Sequence, residues 1–153
     1  MSIKEKLASI GLSLPVASAP VAAYVPAVKS GNLVFTAGQL PVVDGKLVKE
    51  GKVGSDVSAD DAKELAQICA LNALAAISLV AELDQIDRVV RVGGFVNCAP
   101  GFTAIPSVVN GASELLIKIF GDVNGKHART AVGVAELPLN APVEIEMVVQ
   151  LKN

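Results

Sequence analysis

Apolar residues recur along this chain with two different periods, and each change of period marks out an element. Ile3, Leu7 and Ile10 are helically spaced, and Gly11 is placed to cap a short first helix. The segment SLPVASAP, residues 13–20, reads as extended chain. Two β-rich runs in AAYVPAVKSGNLVFTAG then join at Ser30-Gly31-Asn32, a hairpin signal. Pro26 assigns the first of these strands to an edge or a bulge. A second small hairpin centres on Asp44-Gly45. The strongest helix follows: Ser58 or Asp60 caps it, Asp61 and Glu64 suit its first turn, and Ala and Leu dominate through Leu83. Its polar positions 60, 64, 67, 78 and 82 form one narrow side, so the remainder lies on a sheet.

Residues 86–100, IDRVVRVGGFVNCAP, are β-branched and read as a strand, with Gly93-Gly94 a bulge or a close approach. In SVVNGASELLIKIFG, Val108, Leu115, Leu116, Ile119 and Phe120 take helical spacing, and Gly121 ends the helix. Two alternating strands complete the chain, RTAVGVAEL and PVEIEMVVQL. The order strand, strand, helix, strand, helix, strand, strand predicts an α+β layer with helices on one sheet face. In the last strand Val143, Ile145, Met147, Val149 and Leu151 form the core side, opposite Glu144, Glu146, Val148 and Gln150. That leaves a second, partly apolar sheet face suited to another subunit. In the strand before it, Arg129 heads a row of small residues, Ala131, Gly133 and Ala135, which leaves space beside the guanidinium. A simple hairpin of these two strands offsets Arg129 and Glu144 by about four residues, roughly 13 Å.

Composition adds a constraint. With 153 residues, the default is one domain spanning 1–153, of which 1–19 is an N-terminal extension carrying the short helix. At 52% hydrophobic and 18% charged, the chain holds more aliphatic surface than a monomer of this size hides easily. Burial between like subunits is the natural outlet. The net charge of −2 and the lack of any basic run remove the electrostatic footprint of a nucleic-acid binder. Cys69 and Cys98 fall in a helical and a strand pattern, which suits reduced, buried thiols in a cytoplasmic protein. The chain's start lacks a continuous apolar core followed by a small-residue cleavage site, and the longest apolar stretch is interrupted by Asn72 and Ser78, so neither a leader nor a membrane span is expected.

Few residues carry candidate chemistry. His127, the single histidine, sits in the turn-rich VNGKHAR with no acidic partner nearby in sequence, which fits a solvated loop histidine better than a catalytic base. No Cys, His or carboxylate cluster has metal-ligand spacing, VGGFVNCAPG lacks the lysine and helix start of a phosphate loop, and no Gly-x-Ser-x-Gly occurs. No cofactor is expected. Arg129 has two readings. It caps a strand at the surface, or it is an anion clamp, a partly dried guanidinium that takes a carboxylate through two parallel hydrogen bonds. Glu144 likewise is a solvated strand residue or a group that positions water beside the bound anion.

Three blocks then resemble a known family. HARTAVGVAELPLNAPVEIEM is similar to the C-terminal signature of the RidA/YjgF imine deaminase family, an Ala-Arg opening a strand, a Leu-Pro turn, then Val-Glu-Ile-Glu. GNLVFTAGQLPV resembles the N-terminal signature with its Thr-x-Gly-Gln, and AYVPAVKSGN carries the family's tyrosine. The likeness runs from about Pro20 to Leu151. It implies a chorismate-mutase-like α+β fold with two main helices on one sheet face, a homotrimer, and sites between neighbouring subunits. It implies hydrolysis of small 2-imino acids or their enamine tautomers, such as 2-aminoacrylate and 2-iminobutanoate, to 2-keto acids and ammonia, without metal or cofactor. Carried onto this chain, Arg129 binds the substrate carboxylate and Glu144 orients the attacking water. Tyr24 and Asn110 line the cleft, the Gly38 backbone contacts the ligand, and Ala131 borders it.

The chain departs from the family at Ala37, where many members have serine, at Ala131, where many have cysteine, and at Val25-Pro26 after the tyrosine. These departures favour an alternative in which the same cleft binds 2-keto acids without turnover. Some relatives are described as endoribonucleases or translation inhibitors, but an acidic chain without a basic groove argues against a nucleic-acid partner.

Overall fold

A computed structural model describes residues 1–19 and 22–153 of the chain; Pro20, the end of the segment expected to be extended, lies outside them. The first helix, α1 (Ile3–Ser9), begins with a capping box in which Ser2 and Glu5 satisfy each other's backbone N–H groups. It buries Ile3 and Leu7, and Gly11 follows it with a φ of 76°. Strands β1 (Ala27–Ser30) and β2 (Leu33–Thr36) form the expected hairpin, with β1 at a sheet edge directly after Pro26. The small hairpin of β3 (Val42–Val43) and β4 (Lys46–Leu47) turns at Asp44 and Gly45, both at positive φ.

Helix α2 (Ala59–Ile77) is capped by Ser58, whose side chain accepts from the Asp61 N–H. It stops six residues short of Leu83: the Ser78 hydroxyl turns back to the Ala75 carbonyl, Leu79 and Val80 are exposed, and a single 3-10 turn at Leu83–Gln85 leads into β5 (Ile86–Asn97). Helix α3 (Ile105–Asn124) is longer than expected at both ends, with Pro106 in its first turn and a break at Gly121. Strands β6 (Ala128–Val134) and β7 (Val143–Leu151) follow.

The main sheet has the order β1-β2-β7-β5-β6, with β5 parallel to β6 and antiparallel to β7. The last two strands are therefore not a hairpin. Strand β5 already carries β6 through the β5-α3-β6 crossover, so β7 reaches its place between β2 and β5 by passing over the end of β5. That passage is pinned. Asn97, fully buried at the end of β5, donates to Asn140 Oδ1 at 3.1 Å and from its N–H to the Pro142 carbonyl at 2.9 Å. Lys52 donates to Asn97 Oδ1 at 2.8 Å and to the Ala135 carbonyl.

Both main helices pack on one face of the sheet, α2 over β7 and β2, α3 over β5 and β6. The core between them holds the inward row of β7 with Val89, Val92 and Val96 of β5 and Val34 of β2. The two glycines of β5 are close approaches, not a bulge: Gly93 lies beneath Glu146 and Gly94 beneath Val109, whereas the strand's irregularities fall nearer its start. Cys69 is buried, but Cys98 is partly exposed. The other face is open. Val28, Phe35 and Val132 stand exposed on it, with Glu144, Glu146 and Arg91 between them.

The two helices touch where a Cβ on Gly111 would overlap the Lys63 carbonyl oxygen. Overpacking of this kind costs about 1–3 kcal/mol. Gly111→Ala is therefore expected to lower the unfolding free energy by that amount, whereas Gly31→Ala, where nothing lies within 4 Å of a new Cβ, loses only what its φ of 60° imposes. Urea unfolding of both variants checks this.

Candidate functional site

Arg129 is set by register. Its partner in β5 is Val92, whose partner in β7 is Met147, so all three side chains share the helix-covered face. Because β6 is the outer strand and Ala131 and Gly133 follow on the same side, the guanidinium lies half-buried at the margin between sheet and α3. Asn110 and Ser113, three residues apart on one side of α3, reach it from above. Arg129 Nη1 donates to Asn110 Oδ1 at 2.7 Å and to Ser113 Oγ at 3.2 Å. No carboxylate pairs with Arg129 among the described residues. A half-dried cation held by two neutral oxygens keeps most of its charge for something else.

His127 belongs to the same cluster and is not the solvated loop residue that its sequence suggests. Its Nδ1 lies 2.7 Å from the Gly125 carbonyl and its Nε2 lies 2.9 Å from Ser113 Oγ. Burial lowers its pKa first, and the Arg129 charge lowers it further, against the raising effect of the Gly125 carbonyl. The imidazole is thus held neutral near pH 7. Ser113 itself was not visible as a site residue; its signal is a hydroxyl three residues from Asn110 on an otherwise apolar helix side.

Glu144 occupies the other face. Its register partner Phe95 pairs with Val132, so its carboxylate points away from α3. Across the sheet it stands two strands and three residues from Arg129, about 14 Å by strand geometry. It bends over Gly38, where a Cβ would collide with Oε1, so a side chain there would push the carboxylate aside. The Gln39 and Ile145 backbones bond in both directions, at 2.8 and 3.0 Å, and fix Gly38 against β7. Burial first, and then the like charge of Glu146, push the Glu144 carboxyl above its ordinary range. Tyr24 and Gly38 line one small cleft of about 130 Å³ with Pro26, Gln39 and Leu40.

The expected site residues therefore fall into two groups in one chain. Arg129, Asn110 and Ala131 lie between the sheet and α3; Glu144 lies on the open face, and Gly38 beneath it shares with Tyr24 a cleft beyond the end of β2. A larger cavity of about 610 Å³ lies between the segment Gly11–Ser18, the Asp44 hairpin and α2, away from Arg129. Its walls are chiefly apolar, Asp44 being the one charged residue among them. No helix among the described residues is long and apolar enough to cross a membrane.

Comparison with known proteins bears on this arrangement. A protein named TCP17 from Trypanosoma cruzi is 39% identical over 152 residues, covering 99% of this chain and 95% of its own length. A 2-iminobutanoate/2-iminopropanoate deaminase from Dermatophagoides farinae is 30% identical over 141 residues, covering 92% of this chain and 95% of its own. The crystal structure of Atu1372, a protein with unknown function from Agrobacterium tumefaciens, superimposes with a TM-score of 0.89 at 42% identity, covering 99% of this chain and 94% of that one. Residues 4–151 match the family described as "YjgF/chorismate mutase-like, putative endoribonuclease", and with the mixed sheet and two covering helices this establishes that the chain belongs to the YjgF family.

Proposed function

We propose that this protein hydrolyses small 2-imino acids to 2-keto acids and ammonia, at sites built between copies of the chain in a homotrimer. The observation that carries the reading is Arg129: a half-buried guanidinium with two neutral partners and, among the described residues, no carboxylate paired with it. A 2-imino acid supplies that carboxylate. Its C=N carbon is already electrophilic, so the protein's task is to hold the anion, admit one water and pass that water's two protons to nitrogen. Water adds to the carbon as its proton passes to Glu144. Glu144 returns that proton to nitrogen to give the carbinolamine, then takes the hydroxyl proton and passes it to nitrogen as the C–N bond breaks, so ammonia leaves a keto acid. An enamine such as 2-aminoacrylate first gains a proton on its terminal carbon and gives one up from nitrogen to become the imine. A carboxylate with a raised pKa is suited to both accepting and returning the proton.

Arg129 and Glu144 face opposite ways in one chain, which supports a site completed by a neighbour. The open sheet face, with exposed Val28, Phe35 and Val132, is the surface that a second copy would cover. The deaminase among the relatives supports the reaction class. Ala37 and Ala131 favour a second reading, in which 2-keto acids bind without turnover, because neither supplies a polar side chain to the cleft.

With 2-iminobutanoate generated in situ, wild-type protein is expected to speed its decay, and Arg129→Ala to lose at least about 100-fold of that rate, as befits a desolvated anion clamp. Absence of wild-type acceleration, with 2-oxobutanoate still binding, selects the second reading. The rate should fall as pH drops through the Glu144 pKa, above the ordinary 4.5, because only the ionised carboxylate accepts the proton; the residual rate of Glu144→Gln should lack that limb. Mixing and reassembling Arg129→Ala with Glu144→Gln should restore activity, since some sites then draw a sound residue from each copy. No recovery would place both groups in one copy's site.

A further inference from the structure

The hydrogen bonds around Arg129 form a chain whose direction is fixed at one end. The Gly125 carbonyl can only accept, so His127 Nδ1 at 2.7 Å carries a hydrogen. The neutral imidazole then has its lone pair on Nε2, and Ser113 Oγ at 2.9 Å must donate to it. With its hydrogen committed, the Ser113 oxygen presents lone pairs to Arg129 Nη1 at 3.2 Å. Nη1 has two hydrogens; the second goes to Asn110 Oδ1 at 2.7 Å. One nitrogen of the guanidinium is thereby fully used. Nε and Nη2 find no acceptor among the described residues, and their N–H groups form the parallel pair that matches a carboxylate.

The charged groups around the imidazole keep this direction. Arg129 faces it from β6, and Arg88 of β5 and Lys126 share its surface cleft, Lys126 being paired with Asp122 of α3. Arg129 is the charge that bears on the imidazole, and half-burial acts in the same direction. An imidazolium would donate from Nε2, and Ser113 would no longer need to donate there.

We propose that His127, acting through Ser113, is a positioning residue for Arg129: the relay from the Gly125 carbonyl ties down Nη1 and leaves the Nε–Nη2 edge presented to an anionic ligand. The role of that edge rests on the reading of Arg129 as the carboxylate anchor; the relay itself does not. Asn110 orients the same nitrogen from the preceding turn of α3, so loss of His127 loosens the guanidinium without removing it. A freely turning arginine still attracts an anion but must be ordered when the anion binds.

The test uses the full chain and two readouts. The first is the affinity for 2-oxobutanoate in wild type, His127→Leu, Ser113→Ala, the double variant, His127→Gln and Arg129→Ala. Glutamine keeps one donor and one acceptor, so it should hold affinity within about twofold, whereas His127→Leu and Ser113→Ala should each weaken it about tenfold, the worth of one hydrogen bond. The double variant should be no worse than either single change, as expected of residues acting in series. The second readout needs no ligand: the Arg129 Nε–H resonance should broaden or shift in His127→Leu and Ser113→Ala and persist in His127→Gln. Unchanged affinity in His127→Leu, or additive losses in the double variant, overturns the relay. If Arg129→Ala binds as well as wild type, the anchor reading falls, and an Nε–H signal indifferent to both substitutions then overturns the relay as well.

Discussion

The final strand enters the middle of the sheet, and most of the architecture depends on that insertion. Among the described residues, β7 is the one strand that alternates buried and half-buried positions along its whole length. It bonds to β2 on one side and β5 on the other, so neither half of the sheet is complete without it. Its position sends β6 to the edge. That exile sets Arg129 at a margin open enough for a ligand and dry enough for its charge to count. The same insertion turns Glu144 to the far face, over Gly38.

Polar side chains sit where the insertion demands them. Asn97 is fully buried, yet it bonds to Lys52, to Asn140 and, through its backbone, to Pro142, so burial leaves no polar group unpaired. Around Arg129 the same rule holds: Ser113, His127 and Asn110 satisfy one another and one guanidinium nitrogen, and the two nitrogens without a protein partner are not buried.

Much of this was legible in the sequence, for local reasons. Helical spacing and the Ser58 cap gave α2, the alternation in β6 and β7 gave their faces, and Gly31 and Gly45 marked the turns. The assignment of Arg129 to the side of Ala131 and Gly133 follows from period two alone. What sequence could not give was partnership between strands. The short link at Pro138–Asn140 resembles a hairpin connection, and only the parallel crossover through α3 excludes that pairing. His127 failed to stand out because its partners, Ser113 and the Gly125 carbonyl, are a helix hydroxyl and a backbone atom. Neither carries a signature. Glu144 kept its face but not its neighbour: nothing in the spacing brings Gly38 beneath it.

On the proposed reading, Arg129 of one copy and Glu144 of another serve one anion. A crystal structure with 2-oxobutanoate tests it most directly. The account predicts the keto acid's carboxylate on the Nε–Nη2 edge of Arg129, with Glu144 of a neighbouring copy beside its carbonyl carbon. A ligand held away from Arg129, in the apolar cavity beneath residues 11–18 or on the open sheet face, would contradict it.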